Sequence, residues 1–218
     1  STLGQTPSGE PLTSMIRRAA DRGMATGLVV VGALQDATPA AFYAHVEKRR
    51  DTEGILRDML VSDIDVMIGA GWRNLGKSCD EGGDYAEAFA RRGYRVVSSL
   101  GEAEEGEPSR LLCAVDEKET PIQAPARGDF LPRAATRAMA LLAAARAGRA
   151  GGVWVGVGRG DWLRGWCVGG RGEGGRRLAR CGVRGVEGGP VAGCRAGRFP
   201  AACRKTGHGA ACRKERRK

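Results

Sequence analysis

Short apolar runs alternate with amphipathic stretches through the first 150 residues. Gly27 to Val31 is a β-branched run that suits a strand buried on both faces. Ile64 to Ile68, Tyr94 to Val97 and Leu111 to Val115 read as three more strands of the same kind. Between them lie helical patterns. Thr13 or Ser14 can cap a helix running to about Arg22, with Gly23 as its stop. Pro39 suits a first helical turn, so Ala40 to Lys48 is predicted as a helix. Thr52 to Leu60 places Ile55, Met59 and Leu60 on one side, and Tyr85 to Arg92 ends at Gly93. An acidic loop, Glu102 to Glu107, precedes the fourth strand. A loop from Pro121 to Pro132 leads to an Ala/Leu/Arg helix, Arg133 to Ala147, stopped by Gly148. Strands alternating with helices predict an α/β fold, a parallel sheet covered on both faces.

Composition changes the picture beyond residue 150. The chain has 218 residues and a formal charge of +10, but the charge is concentrated at one end. Residues 151–218 carry 16 basic and 4 acidic side chains, while residues 1–150 carry 19 and 21. The same segment holds 19 of the 35 Gly, 5 of the 7 Cys and 3 of the 4 Trp. Two kinds of sequence are therefore expected: an α/β unit over 1–150 and a Gly/Arg/Cys-rich basic tail over 151–218. Gly, Arg, Ala, Cys and Trp all have G/C-heavy codons, so the tail reads as a frameshift product and is expected to be disordered. No apolar run reaches the roughly 18 residues of a membrane span. Ser1 to Glu10 lacks the basic and hydrophobic regions of a signal peptide.

The segment Leu34-Gln35-Asp36-Ala37-Thr38-Pro39-Ala40-Ala41, followed by Ala44-His45-Val46 and a basic pair, resembles the alkaline phosphatase family in its bacterial branch. Ser62 to Gly71 is similar to that family's strand entering a Gly-rich turn, and Arg91 to Val97 to its next helix-to-strand join. The three matches fall in order, and the resemblance covers about residues 8–148. It implies a partial three-layer sheet of the alkaline phosphatase type and, as chemistry, phosphomonoester hydrolysis by a serine between two zinc ions with a magnesium ion nearby. By the same resemblance Thr38 is a magnesium ligand through its hydroxyl, and Asp36 holds water bound to that ion. Magnesium prefers such hard oxygen donors. The family's phosphate-binding arginine falls at Arg49, or at Arg50 if the register slips by one. A guanidinium fork can grip two phosphate oxygens, which the ammonium of Lys48 cannot.

Each residue also has a plainer role. Asp36 and Thr38 are capping residue types ahead of Pro39. Arg49 stands in a basic run of the kind that favours a helix end. His45 is expected to pack rather than to bind metal, and Gly69 and Gly71 to form a tight turn rather than a phosphate cradle.

The nucleophile of the family lies in an Asp-Ser-Ala motif absent from this sequence, and Ser1 is expected to fall just after it. The tail offers only Asp161 and His208 towards the zinc ligands, so the chain reads as a fragment inactive on its own. Its family is exported to the periplasm or secreted, and often dimeric. A rival reading makes the tail a nucleic-acid-binding arm, drawn to phosphate by charge, with Trp154, Trp162 and Trp166 able to stack bases. Zinc at Cys194, Cys203, Cys212 and His208 is a further option, though no CxxC pair occurs.

Overall fold

The computed structural model describes residues 2–116 and 128–145, together with the backbone of residues 152–157, 163–168 and 180–182. Among the described residues seven strands form one sheet in the order β3-β4-β2-β1-β5-β6-β7. They are β1 (Ala25–Ala33), β2 (Val66–Ala70), β3 (Arg95–Val97), β4 (Leu111–Val115), β5 (Gly152–Val157), β6 (Leu163–Val168) and β7 (Arg180–Gly182). From β3 to β5 every neighbouring pair is parallel, whereas β6 and β7 continue antiparallel. The sheet is thus mixed, and its parallel part agrees with the expected α/β fold.

Period-two alternation assigns the strand residues to two cores. Leu28, Val30, Met67 and Leu112 face a core completed by helices α1 (Met15–Asp21), α3 (Thr52–Leu60) and α5 (Tyr85–Arg91). Val29, Val66, Ile68 and Cys113 face the other, closed by α6 (Leu100–Ala103) and α7 (Phe130–Ala144). Both faces of the sheet from β1 to β4 are covered, which is why those strands read as apolar runs. Two one-turn helices, α2 (Ala37–Ala40) and α4 (Trp72–Leu75), follow β1 and β2.

Caps explain several boundaries. Asp51 accepts from the Gly54 amide at 3.0 Å and Asp84 from the Glu87 amide at 2.8 Å, each supplying a partner to an otherwise unpaired first-turn N–H. Ser14 caps α1, and Gly23 follows it at a φ of 72°.

Four expectations need correction. The helix predicted from Ala40 to Lys48 does not form. α2 ends at Ala40, and Val46 instead exchanges two backbone hydrogen bonds with Leu3, at 2.8 and 3.1 Å. Tertiary pairing of a β-branched residue outweighs weak local helix propensity there. The acidic loop begins as a helical turn, because Ser99 and Glu102 form a reciprocal capping box. The last helix starts at Phe130, with Pro132 in its first turn, where proline costs no hydrogen bond. The second strand spans Val66–Ala70, two residues later than expected.

Past residue 150, where the sequence points to a disordered tail, the described backbone consists of β5, β6 and β7. Cys194, Cys203, Cys212 and His208 lie outside the described residues, as do Asp161 and Trp162.

Candidate functional site

The chain changes direction at β1: β2 is added on one side of it and β5 on the other. In an open α/β sheet, ligands bind beyond the carboxyl ends of the strands beside such a reversal. Leu34 to Thr38 leaves β1 at that edge. Leu34 is held on both sides, its N–H donating to the Ala70 carbonyl at 2.9 Å and its carbonyl accepting from the Tyr43 hydroxyl at 2.7 Å. Burial, together with the nearby Asp58 and Asp36 carboxylates, pushes the Tyr43 hydroxyl far above its ordinary range, so it remains a proton donor.

Asp36 occupies the N-cap position of α2, with its carbonyl accepting from the Ala40 amide at 2.9 Å. Its carboxylate makes no capping hydrogen bond. Instead it lies over Gly32, so that a β-carbon built there would stand 2.8 Å from Oδ2. Asp36 and Thr38 are both exposed. They flank Ala37, Asp36 as the cap of α2 and Thr38 within its single turn.

Arg49 is exposed in the turn ahead of α3, two residues before the cap Asp51. α3 lies between the parallel strands β1 and β2 along the chain, and Met59 in its last turn stands 3.8 Å from Gln35 Nε2. Lys48, Arg49 and Arg50 form no ion pair among the described residues.

The remaining candidates have structural duties. His45 is half-buried, with Nε2 3.0 Å from the Leu12 carbonyl and its backbone N–H donating to the Asp58 carboxylate at 2.6 Å. Gly69 packs so closely on Val30 that a β-carbon would come within 2.6 Å of it. Gly71 has a φ of 107° and begins α4. A cavity of about 280 Å³ between α1 and α3 is lined by residues including Leu12, Arg17, His45, Asp58 and Val61, but by none of Asp36, Thr38 and Arg49.

Sequence reasoning missed two residues beside the loop. Gln35 is 6% exposed, and its Oε1 accepts from Asn74 Nδ2 at 3.2 Å. An amide inside an apolar run, directly before Asp36, was the available clue.

Asp36 and Thr38 offer one carboxylate and one hydroxyl, a hard-oxygen pair that fits magnesium, which keeps several of its waters. Zinc demands more converging ligands, and among the described residues no three His, Cys, Asp or Glu side chains gather.

Residues 1–103 match the alkaline phosphatase family model. Alkaline phosphatase 4 of Bacillus subtilis (strain 168) is 25% identical over 116 residues, which cover 50% of this chain and 24% of that protein. The solved alkaline phosphatase of Thermus thermophilus is 28% identical with a TM-score of 0.61, covering 72% of this chain and 33% of that one. The cold-active enzyme of Shewanella sp. gives 26% and 0.57 over 71% and 36%. The enzyme of the Antarctic bacterium TAB5 shares the fold at a TM-score of 0.58 and 24% identity, over 66% and 42%, and a mutant of it holds Mg in the site termed M3. This chain therefore spans about a quarter of the curated relative and 33–42% of the solved ones.

Proposed function

Taking residues 1–103 as an alkaline phosphatase domain, we propose that this chain supplies the magnesium loop and the phosphate-gripping arginine of a metal-dependent phosphomonoester hydrolase. The observation that carries the reading is Asp36-Ala37-Thr38 at the carboxyl end of β1, with an exposed carboxylate that its helix does not use as a cap.

Thr38 would hold the ion through its hydroxyl, and Asp36 through water. The ion, when bound, places positive charge beside a reacting phosphoryl group and orders water there. Arg49, whose guanidinium forms no ion pair among the described residues, can turn its fork to two phosphate oxygens. The Tyr43 hydroxyl donates to the Leu34 carbonyl and so braces the chain where it leaves β1. No nucleophile is assigned within the chain, because the sequence holds no Asp-Ser-Ala motif. We therefore propose that the 218 residues bind magnesium and phosphate without completing turnover.

The test measures binding and turnover on the same protein. Inorganic phosphate in the presence of Mg²⁺ is expected to bind in a manner weakened about tenfold or more by Arg49→Ala, the scale of losing a charge-assisted pair. Hydrolysis of a chromogenic aryl phosphate is expected to stay at background with Mg²⁺ and Zn²⁺ supplied. Phosphate binding indifferent to Arg49→Ala would contradict the arginine assignment, and strong metal-dependent hydrolysis would contradict the proposed lack of turnover.

A further inference from the structure

We propose that Gln35 and Asn74 form a positioning clamp that sets the affinity of the Asp36–Thr38 loop for a hard divalent cation. The inference rests on the reading of that loop as a magnesium site.

Gln35 is the residue before Asp36, and it is 6% exposed. A buried amide is costly unless it is bonded. Its Oε1 accepts from Asn74 Nδ2 at 3.2 Å, while among the described residues its Nε2 has only the Met59 sulfur, at 3.8 Å. The Asn74 bond is therefore the stronger of the two tethers.

The backbone around this bond is shaped to receive it. Gly71, at a φ of 107°, leaves open the space that Gln35 Oε1 fills, since a β-carbon there would collide with that oxygen. The Asn74 amide donates to the Gly71 carbonyl at 3.0 Å, and the Gly71 amide donates to the Val115 carbonyl at 3.1 Å. With Leu34 bonded to Ala70, the loop after β1 is tied through β2 to β4. Three adjacent strands thus fix the residue next to Asp36.

Fixing Gln35 inward constrains how Asp36 leaves the sheet. The Asp36 carboxylate lacks the capping bond that would otherwise orient it, so its direction depends on the backbone that the clamp holds. A cation with fixed bond lengths gains from donors already in place, and partners behind the ligands contribute substantially to affinity.

The experiment uses the full 218-residue chain and Mn²⁺, a paramagnetic stand-in for Mg²⁺, followed by electron paramagnetic resonance. The wild type is expected to bind Mn²⁺ at a site that Mg²⁺ displaces and Asp36→Ala abolishes. Asn74→Ala and the nearly isosteric Gln35→Met are each expected to weaken it by about tenfold or more. The double variant should lose no more than the worse single one, because either change already breaks the bond. Leu75→Val, which thins the core beneath the same helix without touching the amides, should leave Mn²⁺ affinity unchanged; a loss matching that of Asn74→Ala would reduce the clamp to general stability and overturn it. Binding that requires Asp36 but is indifferent to Asn74→Ala and Gln35→Met overturns the clamp and leaves the loop assignment intact. Binding that persists in Asp36→Ala overturns the loop assignment, and the clamp falls with it.

Discussion

At the scale of single residues, the least replaceable position near the site is Gly71. Its φ of 107° is strained for any side chain, and a β-carbon there would strike the Gln35 amide. Gly71→Ala is expected to cost about 2 kcal/mol in denaturant unfolding, and a wild-type midpoint would contradict this. The tyrosines make a second expectation. Burial pushes the Tyr94 hydroxyl up to about 12, partly opposed by the Arg110 guanidinium that donates to it at 2.7 Å. A hydroxyl with a raised folded value retains its proton in the fold after the unfolded chain has lost it. Its contribution is therefore whole below about 10 and declines as pH rises towards 12. Stability measured across that window should fall, and Tyr94→Phe should make the fall shallower. Asp36, Thr38 and Arg49 were proposed from the sequence by resemblance, through the run from Leu34 to Arg49. The Gln35–Asn74 bond was not, because its partners lie 39 positions apart and meet only once β1 and β2 are neighbours.

Among the elements, α6 and α7 are joined by two arginines. Arg133 grips the Glu104 carboxylate with two bonds, at 2.8 and 2.6 Å, on the surface. Arg137, 9% exposed, donates to the carbonyls of Ala103, Glu105 and Gly106 and so covers the open end of α6. Arg137→Met keeps the apolar stem but strands those carbonyls, and should cost about 2–3 kcal/mol in thermal or chemical unfolding. The surface pair at Arg133 is screened by solvent, so Arg133→Ala should move the unfolding midpoint far less. If both variants unfold alike, burial is not what makes Arg137 important. α3 was legible from the apolar side formed by Ile55, Met59 and Leu60, and α5 from the stop at Gly93. The helix expected over Ala40 to Lys48 was misread because its fate depends on Leu3, whose backbone claims Val46. No local pattern carries that information.

For the whole molecule, the alternation of strands and helices was legible, but the strand order was not. Apolar runs of similar composition do not state which neighbour each takes, and β5 comes from the segment that reads as a different kind of sequence. Residues 151–218 still carry 16 basic against 4 acidic side chains. Charge of that density is expected to attract nucleic acid without regard to base sequence. Fluorescence anisotropy with labelled duplex DNA should show binding that weakens by roughly a thousandfold or more between about 50 and 200 mM salt. A sequence-selective complex stable to salt would point to a dedicated nucleic-acid surface instead.

The central claim is that Asp36 and Thr38 form a magnesium loop at the carboxyl edge of the sheet. Its most direct test is a Mg²⁺ titration of the full chain followed by amide NMR shifts. Saturable shifts at Asp36, Ala37 and Thr38, spreading to Gly71 and Asn74 and lost in Asp36→Ala, are the expected result. Unmoved amides at saturating Mg²⁺, or the same shifts in Asp36→Ala, would contradict it.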